Sequence, residues 1–178
     1  MPRNVEIKAR AADLASVRTR AEALTDGPCV VLHQDDALFG VPRGRLKLRV
    51  LGPGEAELIY YERPDAAGPK ECRYARAPVQ DADALHALLS RALPVLGRVR
   101  KRRTVYLVGQ ARIHLDEVEG LGDFVELEVV LRDEQAAEEG ARPVHGLMRR
   151  LGLLKADLIG CSYLDLMNPP QSRTLYRA

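Results

Sequence analysis

Charge falls on every second residue in four short stretches of this 178-residue chain, where a soluble sheet would alternate charged positions with hidden apolar ones. They are Asn4-Val5-Glu6-Ile7-Lys8-Ala9-Arg10, Arg45-Leu46-Lys47-Leu48-Arg49, Lys101-Arg102-Arg103 and Glu126-Leu127-Glu128. Successive β side chains point to opposite faces, so Glu6, Lys8 and Arg10 share one side of a strand and Val5, Ile7 and Ala9 the other. Either the charged faces are solvent faces, or they line one enclosed cavity holding acids and bases together. Any half-exposed antiparallel strand shows such alternation, so a single stretch would favour solvent. Four of them, with mixed charge, on a chain too long for a bare two-layer sheet with every polar face wet, shift the balance toward a cavity.

The surrounding sequence supplies the sheet. Residues 4–10 read as a strand and 11–24 as a helix, with Leu14, Val17, Ala21 and Leu24 at helical spacing before Asp26-Gly27-Pro28. Extended segments near 29–39, 44–51, 56–63 and 70–77 are separated by Pro42-Arg43-Gly44, Gly52-Pro53-Gly54 and Asp65 to Pro69, close turns that favour antiparallel hairpins. A second helix over 81–93 starts at an Asp81 cap and shows Leu85, Leu88, Leu89 and Leu93. Strands near 96–108, 111–118 and 123–132 follow, then a helix over 134–151, where Pro143 predicts a kink or a later start. About eight strands and three long helices give an α+β class dominated by one antiparallel sheet, of a size that can close into a barrel. One domain over residues 1–167 is expected, with 168–178 a flexible tail.

Composition narrows the partners. With 27 Lys and Arg against 25 Asp and Glu the net charge is only +2, so no global field recommends nucleic acid or a membrane surface. The basic run from Arg98 to Arg103 has apolar surroundings, which also speaks against nucleic acid. The three cysteines, Cys29, Cys72 and Cys161, have no paired ligand spacing, which points to a reducing compartment. No signal-like or membrane-spanning run is present, so a cytoplasmic protein is expected.

If the in-phase charges face a lumen, it receives Glu6, Lys8 and Arg10, then Arg45, Lys47 and Arg49, then Lys101 and Arg103, then Arg112, His114 and Asp116, and finally Glu126 and Glu128. Lys and Arg suit a triphosphate, with its about four negative charges, through charge-assisted hydrogen bonds. Carboxylates in the same space would repel that ligand unless a hard divalent cation lay between, and Mg²⁺ uses one or two carboxylates, waters and phosphate oxygens. Phosphoryl or nucleotidyl transfer follows, in which positioning and charge stabilisation carry the reaction. No covalent nucleophile is needed, and nothing marks Cys72 as an activated thiolate. His114, on a polar strand beside Asp116, reads as a bystander.

These residues resemble a known family. Asn4-Val5-Glu6-Ile7-Lys8 resembles the Glu-x-Glu-x-Lys signature of the CYTH superfamily, the triphosphate tunnel enzymes that include class IV adenylyl cyclases and thiamine or inorganic triphosphatases. Gly44 to Arg49, Lys101-Arg102-Arg103 with Tyr106, Asp116, Leu121 to Glu126, and Ser162-Tyr163 with Leu166 follow in the family's order. The resemblance covers roughly residues 4–167 and is nearest to the class IV cyclase branch. It implies a closed eight-stranded antiparallel tunnel with helices outside, and Mg²⁺ or Mn²⁺ as cofactor. Glu6 and Glu126 match metal-binding carboxylates, with Glu128 and Asp116 as further acidic candidates. Lys8, Arg45, Lys47, Arg49, Lys101 and Arg103 match the phosphate grip, with Arg10 joining by phase. Glu6, Lys8 and Glu126 form the implied catalytic set. The implied reaction is ATP to cyclic AMP and pyrophosphate, its rival hydrolysis of inorganic or thiamine triphosphate, and a third reading a sensor that binds polyphosphate or a nucleotide without turnover. A homodimer through an outer barrel face is compatible with this fold. Two departures stand out: Asn4 replaces the signature's first Glu, and Glu62 stands about where members often carry a lysine, with Arg63 adjacent.

Overall fold

The computed structural model describes residues 1–169, and residues 170–178 of the expected tail lie outside the described residues. Eight antiparallel strands close into a barrel in the order β1-β5-β4-β3-β2-β6-β7-β8, with β8 pairing back onto β1. They are β1 (Arg3–Arg10), β2 (Val30–Phe39), β3 (Arg45–Gly52), β4 (Glu55–Glu62), β5 (Lys70–Val79), β6 (Val95–Val108), β7 (Ala111–Val118) and β8 (Gly122–Val130). The period-two pattern therefore gave every strand to within one or two residues. Closure removes the free edges that an eight-stranded open sheet would expose.

The apolar set faces outward. Val5, Ile7 and Ala9 of β1, Ile113 and Leu115 of β7, and Val125, Leu127 and Val129 of β8 are buried in one cluster, under α1 (Leu14–Glu22) and α3 (Ala137–Leu151). From α1 come Val17 and Ala21, and from α3 Val144, Leu147, Met148 and Leu151. Each such aliphatic side chain contributes about 1.5–3 kcal/mol by leaving water. α3 starts at Ala137, three residues later than the 134 expected, and continues through Pro143; packing of both halves on the barrel outweighs one lost helical hydrogen bond. Its approach is close at Gly140, where an added Cβ would lie 2.6 Å from Leu131 and 2.9 Å from Val5. α2 (Ala82–Ala92) covers the opposite wall with Leu85, Leu89 and Leu93 against Ala37, Phe39 and Leu48.

With the apolar residues spent on the outer shell, the alternate residues must turn inward. The charged alternation is the lumen wall, as the closed-barrel alternative required. One end of the lumen is stopped by Phe124, Leu38 and Val99 together with Tyr163 and Leu164 of α4 (Tyr163–Met167), a short helix that periodicity did not predict. α4 is anchored by a capping box in which Ser162 and Asp165 satisfy each other's backbone N–H. No described helix is long and apolar enough to cross a membrane.

Candidate functional site

The lumen is a cavity of about 340 Å³. Its wall carries Lys8, Lys47, Arg49, Arg63, Arg76, Lys101, Arg103 and Arg112 against Glu6, Asp36, Glu126 and Glu128. The surplus is four positive charges, or three once Asp116 behind Lys101 and Arg103 is included. Arg76 and Arg112, the most exposed of these cations, mark the open side.

Two buried carboxylates hold the bases in place. Asp36, 4% exposed, accepts from Lys47 Nζ (3.0 Å) and from Arg49 Nε and Nη2 (both 2.7 Å). Asp116, 0% exposed, accepts from Lys101 Nζ (3.0 Å), Arg103 Nε and Nη2 (both 2.6 Å) and the Tyr163 hydroxyl (2.8 Å). Burial pushes both acids up, but the facing cations outweigh it and hold both well below the usual carboxylate range. Lys101 is lowered to about 8 by burial and by Arg103, partly offset by Asp116. Such pairs fix long side chains before a ligand arrives, so less rotamer entropy is lost on binding.

The remaining acids face the cavity. In register, Glu6 lies opposite Glu128 and Lys8 opposite Glu126. Glu126 meets Lys8 Nζ at 3.3 Å and accepts from Arg103 Nη2, and these cations hold it ionised although burial opposes this. Lys8, 3% exposed, also lies 3.6 Å above the Tyr163 ring, and burial lowers its ammonium. Glu6 accepts from Arg63 Nη1 (2.7 Å), and Glu128 from Asn4 Nδ2 (2.6 Å). His114 stands 3.7 Å from Glu128 and 4.0 Å from Glu126, yet burial and Arg103 keep it neutral.

The residues fit a hard divalent cation in one particular way. Directly opposed like charges such as Glu6 and Glu128 are unfavourable across a strand pair unless a cation intervenes. The buried Asn4 Oδ1, which has no hydrogen-bond partner, adds a hard oxygen donor beside them. Among the described residues no three His, Cys, Asp or Glu side chains converge into a ready-made cage. Carboxylates offered singly suit Mg²⁺, which keeps waters and shares substrate phosphate oxygens.

Of the sequence-chosen residues, Glu6, Lys8, Lys47, Arg49, Lys101, Arg103, Glu126 and Glu128 all line the cavity. Three assignments need correction. Asp116 is sealed in the wall with both oxygens taken by cations and Tyr163, so no face is left for a metal. Arg10 points along the same face as Lys8 but lies beyond the Phe124 and Tyr163 plug, where it stacks on Phe124 (5.0 Å) and reaches the Leu121 carbonyl. Arg45 sits at the same end of the barrel, where its Nη2 donates to both carboxylate oxygens of Asp65 (2.7 and 2.6 Å), and is not part of the lining. Sequence reasoning missed Asp36, whose strand mixes Leu32, Gln34, Asp36 and Leu38 on the inner face; it noted Arg63 beside Glu62, where a grip could be lost or taken over, but did not place Arg63 in the lining. Tyr61 and Arg63 share one period-two face of β4 and its extension, a signal that could have found Arg63; Glu62 instead points out and accepts from Tyr60.

Comparison with known proteins agrees with this architecture. A family model described as the CYTH domain matches residues 2–163. "Adenylate cyclase CyaB" of Aeromonas hydrophila is 32% identical over 184 residues, covering 96% of this chain and 91% of that one. A protein of Pyrococcus horikoshii superposes with a TM-score of 0.81 at 28% identity, over 92% of this chain and 98% of its own. A putative adenylyl cyclase from Hippeastrum, described as revealing a dominant triphosphatase activity, shares the fold with a TM-score of 0.64 at 14% identity, over 91% of each chain.

Proposed function

The chain belongs to the CYTH domain family, and from that premise we propose that it is a divalent-metal-dependent enzyme converting ATP to cyclic AMP and pyrophosphate inside the barrel. The observation that carries the reading is the cationic surplus of the lining, pre-set by Asp36 and Asp116 and matched to a triphosphate of about four negative charges. The 32% identity to a protein named as an adenylate cyclase favours cyclisation.

In this reading Lys47, Arg49, Lys101 and Arg103 orient the phosphates, while Lys8 bridges them to the acidic side at Glu126. One or two of Glu6, Glu126 and Glu128 would hold Mg²⁺ or Mn²⁺, with waters and phosphate oxygens completing its shell. When bound, that ion supplies charge neutralisation and acidifies the attacking hydroxyl. The ribose 3′-oxygen forms a bond to the α-phosphorus, the bond from that phosphorus to the β-phosphate oxygen breaks, pyrophosphate leaves, and the hydroxyl proton goes to solvent. The lining contributes by fixing geometry and by stabilising charge on the leaving pyrophosphate.

Hydrolysis of the terminal phosphate of inorganic or thiamine triphosphate would use the same walls. Turnover assays with ATP, tripolyphosphate and thiamine triphosphate, each with Mg²⁺ or Mn²⁺, separate the readings. Cyclic AMP is the expected product, orthophosphate would establish the hydrolase, and tight binding without products would leave a sensor. Glu126→Gln is expected to lower turnover by roughly 100-fold or more, a larger loss than its stability cost, since its one amide oxygen replaces only one of the two that meet Lys8 and Arg103. Equal loss of both would remove Glu126 from the catalytic set.

A further inference from the structure

Three arginines of the lining use their guanidinium groups differently. Arg49 and Arg103 each turn the edge formed by Nε and Nη2 onto a buried aspartate, Asp36 and Asp116. In Arg63, Nε and Nη2 are buried and have no hydrogen-bond partner. Its side chain is only 5% exposed, lines the cavity, and donates to Glu6 through Nη1 alone, at 2.7 Å. Asp65, the other acid nearby, is 3.8 Å from Nη2, too far to satisfy it. Buried donors without acceptors are costly, and a charged fork kept in that state is matched to an acceptor that comes and goes.

We propose that Arg63 is a phosphate ligand which the free protein parks on Glu6, and that an entering triphosphate takes its empty Nε and Nη2 edge and loosens its hold on Glu6. The proposal rests on the reading of the cavity as a triphosphate site and adds an order to it. Two oxygens of one phosphate fit a planar fork side-on, a geometry that a lysine cannot reproduce. Glu6 is tied to a guanidinium before substrate enters, in keeping with the absence of a converged metal cage among the described residues. Phosphate binding therefore releases the carboxylate, so metal binds well only after substrate.

The test uses metal-free tripolyphosphate and Mn²⁺ alone as separate probes, by calorimetry and by Mn²⁺ electron paramagnetic resonance, on the full chain. Arg63→Gln is compared with Arg76→Gln, which removes a lining charge paired with Glu57 at 3.7 Å and not with Glu6. Arg63→Gln is expected to weaken metal-free tripolyphosphate at least tenfold and to tighten Mn²⁺ alone at least fivefold. Arg76→Gln should change each by less than half as much. Arg63→Lys should recover the Mn²⁺ behaviour of the wild type but not its tripolyphosphate affinity, since the fork is gone. Equal effects of the Arg63 and Arg76 variants, or unchanged Mn²⁺ affinity in folded Arg63→Gln, would overturn the role of Arg63 and leave the site reading intact. A wild-type chain that binds no tripolyphosphate would overturn both.

Discussion

Replacing Asp116 with Asn isolates what a sealed carboxylate does for this barrel. The substitution is nearly isosteric, so it leaves no cavity, but it removes the negative charge that faces Lys101 and Arg103 at 2.6–3.0 Å. An amide can accept through one oxygen only, and its NH₂ group would point a donor at a donor. Arg103 keeps Glu126 as a partner, whereas Lys101 loses the carboxylate that it donates to. Breaking a buried pair from one side costs about 3–5 kcal/mol, because the remaining charge stays buried without compensation. For a chain of this size each kcal/mol moves Tm by about 2–4 °C, so a fall of about 6–20 °C is expected.

The pH dependence of that loss is the sharper part. Lys101 is already lowered to about 8 with Asp116 in place, and the substitution lowers it further. In the variant Lys101 then sheds its proton at a lower pH than in the wild type and escapes part of the cost. The stability deficit should be larger at pH 6.5 than at pH 9, measured by urea unfolding of both proteins. At the acid end the sign reverses. The depressed carboxyl of Asp116 contributes stability that is present above about pH 4 and lost as pH falls through its folded value, so the wild type should show an acid-limb loss that the variant lacks in part. A Tm fall under about 2 °C, or a deficit that grows toward pH 9, would refute the assignment of Asp116 as the counter-charge of Lys101.

His114, held neutral by burial and by Arg103, binds its proton more weakly when folded than when unfolded, so wild-type stability should fall as pH drops below about 6.5, by at most about 1.4 kcal/mol per unit. His114→Gln should flatten that slope between pH 5 and 6.5 in urea titrations, and an unchanged slope would show that the imidazole protonates in place. Gly140→Ala gains about 0.5–1 kcal/mol of helix propensity but drives a methyl into Leu131 and Val5, an overpacking cost of about 1–3 kcal/mol. A net loss on the order of 1 kcal/mol is expected by chemical denaturation, and a stabilised variant would mean that α3 can shift away from the barrel freely.

The strands were legible because a barrel wall follows a period of two along most of β1, β3 and β8, and that pattern also named the inward face. What the pattern could not name was the short closure at the end of the chain. The five residues of α4 are fewer than two helical turns, too few for a 3.6-residue period to show, and the helix is held by its Ser162 and Asp165 capping box and by packing on Val99 and Phe124. The Arg10 and Arg45 errors follow from that omission. A strand face runs on past the floor of a cavity, and only the position of Tyr163 shows where the floor lies.

The same limit explains why alternation alone does not set Asp116 apart from the other inward acids. Asp116, Glu126 and Glu128 all stand on inward faces of neighbouring strands, and alternation treats them alike. Their chemistry differs by what covers them. Asp116 meets Arg103 directly across the β6 and β7 ladder and is closed over by Tyr163. Glu126 and Glu128 lie one strand further on, opposite Lys8 and Glu6, where the cavity keeps one side open. A carboxylate sealed behind cations stiffens the grip, while one that lines the cavity opposite another carboxylate keeps a single arginine partner, Arg63 for Glu6 and the more distant Arg112 for Glu128. Asp36 and Asp116 fall in the first class, and Glu6 and Glu128 in the second. Arg63 stands between them: it supplies Glu6 with charge through Nη1, while its buried Nε and Nη2 have no hydrogen-bond partner. Depth and cross-strand partner, which depend on register around the whole barrel, therefore separate acids sealed in the wall from acids that line the cavity, and neither is written in a single strand's sequence.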